Sequence, residues 1–236
     1  MLQNIGIVPP QPGYLEGLRK LADEFKFVLI FDEVKTGFRH AFGGYAQLSG
    51  VVPDLVVYGK AIANGFPIAA LGGKRRIMDL VADPNPARRV LLAGTYNGHP
   101  VPVAAAIETM KLLLANDGEL YRGLEKKGAA IEEALRNAAS DATEPLVISR
   151  IGSAFCYYFM DHVPVDWHDI LEHHDFSRDV ALRCDLIDKG IYAFPLAVKQ
   201  MSISTAHTDA DVEQVIDAMV DLVPTTQKSR DFVPIA

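Results

Sequence analysis

The chain has 236 residues and a formal net charge of -7, with 49% hydrophobic and 22% charged residues. This length allows one large domain or two modest ones, and the composition is typical of a globular protein with a sizeable core. The acidic balance disfavours a nucleic-acid-binding surface, which needs clustered lysines and arginines. No apolar run approaches the roughly 20 residues that cross a bilayer, so a membrane-spanning protein is not expected.

The cysteines and the N-terminus bear on location and completeness. Cys156 and Cys184 have neither metal-ligand nor redox spacing, so we expect no disulfide and a reducing, cytoplasmic setting. The N-terminus lacks the basic and apolar regions of a signal peptide. Ile5, Ile7 and Val8 have the character of a strand's tail, and we therefore expect that further chain precedes this sequence.

The first half of the chain alternates between helical and strand patterns. Apolar spacing predicts a helix over Tyr14–Phe25. The unbroken apolar run 27–31 predicts a strand buried on both faces, as in a parallel sheet. Shorter strands are predicted over Leu55–Tyr58 and 68–71, and a long apolar helix over 100–115. This alternation predicts an α/β architecture.

The pattern changes beyond Thr143, where short strands and helices predict an α+β subdomain of about a hundred residues. An amphipathic helix at 119–139 is predicted to lead into this subdomain. Two further helices are predicted at 177–189 and Asp209–Leu222. The predicted strands are 146–150, 154–159, 191–193 and 201–203. Thr208 and Asp211 form an acidic variant of the capping box before the last helix. We thus expect a first domain at 1–115, and a linker helix with a C-terminal domain at 116–236.

Two reactive side chains follow predicted strands: Asp32 after the run 27–31, and Lys60 after Leu55–Tyr58. In a parallel sheet, functional groups collect at the carboxyl ends of the strands. One interpretation is a structural ion pair that caps two strands. The other is a pyridoxal-phosphate (PLP) site, where the carboxylate keeps the pyridine nitrogen protonated and the lysine forms a Schiff base. Strand ends alone leave both open.

Four motifs between Phe31 and Pro100 bear on that choice. In order they are FDEVKTGFR at 31–39, PDL with GK at 53–60, GFPI with GG at 65–73, and GTYNGHP at 94–100. Together they resemble the signature segments of the class III aminotransferases, a fold-type I, PLP-dependent family. Residues 43–78 look most like the glutamate-1-semialdehyde aminomutase branch. The resemblance implies a PLP-transferase large domain, partly present here, followed by a small domain.

The resemblance also implies a role for each matching residue. Asp32 matches the carboxylate that pairs with the pyridinium nitrogen, and Lys60 matches the Schiff-base lysine that moves a proton during catalysis. Val34 matches the apolar residue on one ring face, although it is equally a core valine. Thr95, with Gly94 in the same turn, matches the threonine that binds the cofactor phosphate of a neighbouring subunit; a helix cap is its other interpretation. The implied partners are a small-molecule amino donor, a carbonyl acceptor and a second subunit sharing the active site.

Two function hypotheses follow from the family features that this sequence lacks or alters. Family members carry a large preceding segment with a phosphate loop and a stacking aromatic, and neither is found here. His99 departs from the family's usual Asn, and residues 198–202 depart from the aminomutase pattern. The chain is therefore either an aminotransferase or aminomutase whose N-terminal half is absent, or a non-catalytic remnant that acts as an interaction protein.

Three histidines near the middle of the second half have a different interpretation. His168, His173 and His174 lie among charged residues, which predicts a solvated helix face. No convergent cysteine or carboxylate pattern accompanies them. We therefore expect no metal site.

Overall fold

The computed structural model of the protein describes residues 1–140, 142 and 145–225, and the chain divides into two compact units. The first unit is Pro12–Glu119. The second unit combines Met1–Gln11 with the described residues from Leu120 onward. The sequence analysis places the domain boundary at 115/116. The first eleven residues differ, because the sequence prediction placed them in the first domain and the structure groups them with the second unit.

The first unit contains three strands and four helices. The helices are α1 (Tyr14–Phe25), α2 (Gly44–Ser49), α3 (Arg75–Met78) and α4 (Pro100–Leu114). The strands β1 (Ile30–Glu33), β2 (Leu55–Tyr58) and β3 (Ala70–Gly73) form a sheet in the order β1-β2-β3. Short 3-10 turns occupy Lys60–Ala63, Asp79–Ala82 and Ala115–Gly118. The α/β class is confirmed, and α1, β2 and α4 lie where the sequence predicted them, within one residue.

The sheet of the first unit is mixed. β1 pairs in parallel with β2, which places Asp32 beside Val57. β3 pairs with β2 in the antiparallel sense and includes both Gly72 and Gly73, so the predicted strand at 68–71 was placed two residues too early. Gly73 lies against the Asp54 carbonyl, where a side chain would not fit.

The predicted strand at 27–31 is wrong in both extent and burial. β1 begins at Ile30, and residues 27–29 lead into it as irregular chain. Leu29 and Phe31 pack with the α1 helix through Leu15. Ile30, on the opposite face, is 55% exposed. An apolar run predicts that both faces of a strand are buried. Within the described residues, only one face of β1 is covered.

The second unit is built around an antiparallel sheet in the order β4-β5-β6. The strands are β4 (Val147–Ile151), β5 (Ala154–Tyr158) and β6 (Met201–Ser202), and the helices are α5 (Glu119–Ser140), α6 (Trp167–His173), α7 (Phe176–Asp188) and α8 (Asp209–Leu222). Every residue of β5 is buried. Thr208 and Asp211 form the predicted capping box at the start of α8.

One strand predicted in this unit does not form. Residues 191–193 are irregular, although Ala193 is buried. The Ile191 N–H donates instead to the Leu186 carbonyl at 2.9 Å, and Gly190 has a φ of 81°. This is the usual way in which a helix satisfies its last carbonyls, so the end of α7 uses a backbone donor that a strand would need.

The first eleven residues attach to β5 through a tyrosine. The Tyr158 hydroxyl accepts from the Ile7 N–H at 2.8 Å, and Val8 packs with Tyr158 and Ile170. Gly6 has a φ of 86° and lies against the same hydroxyl, where a side chain would not fit. The strand tail predicted for this segment is reduced to a single bridge between Leu2 and Val8.

Candidate active site

Asp32 lies near the carboxyl end of β1, on the uncovered face of the sheet. Side chains alternate along a strand, so Asp32 shares this face with Ile30 while Glu33 points the other way. Asp32 is exposed, and its Oδ1 accepts from the Val34 N–H at 3.0 Å. Its other carboxylate oxygen has no protein partner among the described residues. The side chain is thus held at one oxygen and open at the other.

Lys60 follows β2 directly and begins the turn Lys60–Ala63. Because β1 and β2 are parallel, Lys60 and Asp32 lie at the same edge of the sheet. The lysine is exposed and has a φ of 46°, in the left-handed region that non-glycine residues rarely adopt. Its amine makes no hydrogen bond or ion pair with any described residue. The structural ion pair between Asp32 and Lys60 is therefore not formed.

Val34 and Gly59 connect the loop after β1 to the turn that presents Lys60. Val34 is half-buried, and a Cβ placed on Gly59 would lie 3.3 Å from Val34 Cγ1. The glycine therefore lets the valine approach the backbone that immediately precedes the lysine. The structure thus brings Asp32, Val34 and Lys60 to one edge of the sheet.

Glu33 organises the same loop, a role that the sequence analysis missed. The side chain is buried, and its carboxylate accepts from the Tyr45 N–H at 2.9 Å and the Ala46 N–H at 2.7 Å, as well as from the Thr36 hydroxyl. These amides belong to the first turn of α2, so Glu33 caps that helix. Gly44, with a φ of 67°, leaves room for the carboxylate. The sequence signal for this role was that Glu33 directly follows Asp32 in a predicted strand end, so the two side chains lie on opposite faces of the sheet.

Asp54 stabilises the opposite end of the same two strands. Its side chain is fully buried and accepts from the Leu29 N–H at 2.9 Å. Three cations contact it: Lys74 at 2.8 Å, Arg19 at 2.9 Å and Arg76 at 3.0 Å. The Lys74 ammonium, the Leu29 amide and Arg19 hold the pKa of Asp54 well below its usual range. The sequence marked Asp54 only as part of a motif, and its partners show that it anchors the start of the sheet.

Thr95 and Gly94 lie elsewhere in the first unit, in an exposed turn before α4. The helix cap is not Thr95 but His99, whose Nδ1 accepts from the Val101 N–H at 3.3 Å. The segment that leads to this turn is exposed, including Leu91 at 85% and Tyr96 at 81%. An apolar cleft of about 640 Å³ lies beside the turn, and its lining residues are Phe66, Pro67, Ile68, Ala69, Tyr96, His99, Val101 and Pro102.

The three histidines of the second unit do not share one solvated face. His168 and His173 are exposed, but His174 is buried, which corrects the sequence prediction. The α6 helix ends at His173, and the next residue turns inward. His174 Nδ1 accepts from the Phe159 N–H at 3.1 Å, and its Nε2 lies 3.1 Å from Asp179 Oδ2.

Asp179 is the centre of a buried polar cluster in the second unit. It contacts Arg183 Nε at 2.6 Å and accepts from the Val198 N–H at 2.6 Å, in addition to His174. Burial alone raises the pKa of Asp179, but the hydrogen bond from His174 and the charge of Arg183 outweigh it and lower the pKa. Of these residues the sequence analysis considered only His174, and it placed that histidine on a solvated helix face. The contacts of Asp179 with His174, Arg183 and the Val198 amide indicate a structural role.

None of the helices that the structure describes is long and apolar enough to cross a membrane.

The fold is that of PLP-dependent transaminases and aminomutases. A glutamate-1-semialdehyde aminomutase from Pseudomonas aeruginosa PAO1, solved as a lysine-to-alanine variant in complex with PMP, superimposes with a TM-score of 0.83 at 26% identity, covering 96% of this chain and 51% of that one. An omega-transaminase from Sphaerobacter thermophilus gives a TM-score of 0.79 at 27% identity, covering 92% and 48%. The predicted fold class is confirmed.

The chain belongs to the Aminotransferase class-III family, whose sequence model matches residues 2–223. A glutamate-1-semialdehyde 2,1-aminomutase of Citrifermentans bemidjiense is 41% identical over 215 residues, which are 91% of this chain and 49% of that protein. A second aminomutase of this name, from Brevibacillus brevis, matches at the same identity and coverage. The predicted family and branch are confirmed. The chain spans about half the length of these relatives.

Proposed function

We propose that this chain carries the lysine-bearing edge of a PLP-dependent aminotransferase or aminomutase. The observation behind the proposal is the placement of Asp32 and Lys60 at one sheet edge, with neither side chain engaged by the other. Family membership and the structural likeness to proteins solved with PLP or PMP support the same cofactor for this chain. Because the chain spans about half of its relatives, activity is proposed for the whole enzyme to which this edge belongs.

The residues at this edge fit PLP by their chemistry. The open carboxylate oxygen of Asp32 suits a protonated ring nitrogen, and the lysine amine is available to hold the aldehyde carbon. Val34, backed by Gly59, offers an apolar surface of the kind that packs on a flat ring. When bound, the cofactor supplies an electron sink that stabilises negative charge at the substrate α-carbon.

The two charged residues divide the proton chemistry between them. Asp32 keeps the proton on the ring nitrogen, since a carboxylate nearby favours the charged form of a base. The Lys60 amine, when it no longer holds the cofactor, would take the proton from the substrate α-carbon and deliver it to the cofactor's aldehyde-derived carbon, which is the proton shift that amino transfer requires. The exposure of Lys60 leaves its side chain room to move between these tasks.

The substrates we propose are a small-molecule primary amine as donor and a carbonyl compound as acceptor. Both roles follow from the chemistry of PLP and from the transaminase and aminomutase names of the relatives. The 41% identity with glutamate-1-semialdehyde aminomutases favours a substrate of that type. In an aminomutase, the donor and acceptor positions lie on one molecule.

A homodimer with a shared active site is part of the proposal. Thr95 lies in an exposed turn, and Leu91 and Tyr96 around it leave large apolar side chains in water. Exposed apolar patches of this kind are typical of interfaces. In the proposed dimer Thr95, with Gly94, contacts the cofactor phosphate in the partner's site.

A cytoplasmic location completes the proposal. Cys156 is buried and Cys184 is exposed, and the two form no disulfide. Reduced cysteines of this kind are typical of a reducing compartment.

The test of the proposal is to locate the lysine that PLP modifies. The purified chain is saturated with PLP, reduced with borohydride, digested and mapped. We expect the pyridoxyl label on Lys60, and its loss in Lys60→Ala. Lys20→Ala, a change at an exposed lysine on α1, is the control and should label normally. A label on another lysine would contradict the assignment, and a folded chain without any label would favour the non-catalytic remnant.

A further inference from the structure

Three side chains converge beside α6 in the second unit: Asp169 and His173 on the helix, and His162 in the loop before it. Asp166 caps the helix by accepting from the Asp169 N–H at 2.9 Å. Asp169 therefore lies in the first turn, and His173, four residues on, lies one turn further along the same face. His162 approaches from the loop that precedes the helix.

The ligand atoms of these residues are already close together. Asp169 Oδ1 lies 2.8 Å from His162 Nε2 and 3.0 Å from His173 Nδ1. All three atoms lie within 4.8 Å of one another. Ligands of a tetrahedral zinc ion at 2.0–2.2 Å are separated by roughly 3.4 Å, so each of the two Asp–His distances would need to lengthen by only about half an ångström. His173 Nδ1 also lies 3.0 Å from the Asp169 carbonyl oxygen, a contact that the ring would have to leave in order to bind a cation.

The surrounding hydrogen bonds orient two of the three ligands. Asp169 Oδ2 accepts from the Val165 N–H at 2.9 Å, which leaves Oδ1 directed at the histidines. His162 Nδ1 lies 2.6 Å from Asp161 Oδ1. A histidine that donates one ring N–H to a carboxylate presents the lone pair of its other nitrogen, and metal-binding histidines are almost always supported in this way.

The cluster is also open to solvent on one side. The His162 and His173 side chains are 42% and 43% exposed. A cleft of about 500 Å³ adjoins them, and its lining residues include Asp161, His173 and His174. Three protein ligands with an accessible fourth position leave room for water or an exchangeable ligand.

We infer that His162, Asp169 and His173 bind a divalent first-row transition cation, with Asp161 as a positioning residue. Two imidazoles and one carboxylate suit zinc and its neighbours rather than calcium or magnesium, which prefer oxygen ligands. Among the described residues this is the one group of three such side chains. The inference departs from the sequence expectation of no metal, because the helix brings together residues that lack a recognisable spacing.

Zinc titration against a chromophoric chelator tests the site in the full chain after removal of bound metal. We expect one equivalent of Zn²⁺ to bind, and His162→Ala and His173→Ala each to weaken it at least tenfold. Asp161→Ala should weaken binding by roughly 10–100-fold, as for other carboxylates that support a metal-bound histidine. His168→Ala is the matched control on the same helix, and its affinity should stay unchanged.

A second measurement keeps the test independent of the variants' folding. In the wild-type chain, imidazole nitrogen NMR should show zinc-dependent shifts at His162 and His173 and none at His168. Absence of binding by the folded chain would overturn the inference. The same holds for undiminished binding by the double variant His162→Ala/His173→Ala, or for shifts confined to other histidines.

Discussion

The sheets of the two units differ in how completely they are covered. In the second unit, Phe155 and Tyr157 of β5 pack into one apolar cluster and Cys156 and Tyr158 into another, so both faces are buried. In the first unit, β1 packs on α1 through one face and leaves Ile30 on the other face exposed. The candidate catalytic aspartate lies on that uncovered face. The difference indicates that the sheet of the second unit serves mainly to stabilise its core. The sheet of the first unit leaves one face available for the candidate site residues.

Among the described residues each unit also contains one buried aspartate, and the surroundings of the two aspartates differ in the same sense. Asp179 contacts two side chains that are themselves fully buried, His174 and Arg183. Asp54 contacts cations that remain partly in water, with Lys74 and Arg76 at 40% and 65% side-chain exposure. Removing either aspartate therefore tests how each unit tolerates an unpaired cation.

The largest effect is expected from Asp179→Ala. The change leaves Arg183 buried without its carboxylate, which typically costs about 3–5 kcal/mol. It also removes the acceptor of the Val198 N–H, at a residue whose φ of 51° is strained for a β-branched side chain. Urea unfolding followed by hydrogen exchange in α7 and β5 measures the loss. Asp217→Ala, at an exposed position on α8, should change stability by less than about 0.5 kcal/mol.

Asp54→Ala should cost less, at roughly 2–3 kcal/mol, because its cations can return to water when the carboxylate is lost. The loss of amide protection should be concentrated in β1 and β2, because Asp54 directly precedes β2 and binds Leu29, the residue before β1. Hydrogen exchange resolved by segment is the suitable measurement, since two units need not unfold together. A loss equal to that of Asp179→Ala would contradict the proposed difference between the units.

The Asp54 interaction also predicts a pH dependence. The lowered pKa of Asp54 means that its stabilisation is fully present above the ordinary aspartate pKa, and is lost as the pH falls toward the lowered folded-state value. Acid should therefore reduce β1–β2 protection more in the wild type than in Asp54→Asn, which lacks the titrating group. Equal acid sensitivity in the two proteins would exclude this contribution.

The smallest effect is expected from Ile30→Ala. Ile30 is 55% exposed, so the change should cost less than about 1 kcal/mol, mostly through reduced strand propensity. The matched change in the second unit is Ile148→Ala, where a buried side chain leaves a cavity that costs about 2–5 kcal/mol. Chemical denaturation of the two variants compares the sheets directly. A large loss at Ile30 would show that this face is covered in solution.

Sequence predicted the features that depend on local pattern. The α1 and α8 helices have their predicted bounds because apolar periodicity and the Thr208 cap are local signals. Asp32 and Lys60 were found because strand ends and family motifs marked them together. The resemblance thus supplied the candidate site residues, while the structure supplied their surroundings.

The errors come from partners that are distant in the chain. An apolar run does not reveal which face will be covered, and β1 was therefore predicted to be buried on both sides. Residues 191–193 have strand composition, but the end of α7 takes the Ile191 N–H. The sequence analysis placed His174 in solvent because its hydrogen-bond donor, the Phe159 N–H, is fifteen residues away in the chain and leaves no local signal. Glu33 and Asp54 similarly depend on amides and cations contributed by other elements.

The backbone conformation of Lys60 implies a trade-off between stability and activity. A side chain in the left-handed region costs about 1 kcal/mol more than glycine there, and such strain tends to concentrate at functional sites. For the fold alone, glycine would serve better at position 60, so the lysine is retained at some thermodynamic disadvantage. Lys60→Gly would relieve the strain that Lys60→Ala keeps. An engineer who stabilised this turn would thereby delete the amine on which the proposed chemistry depends.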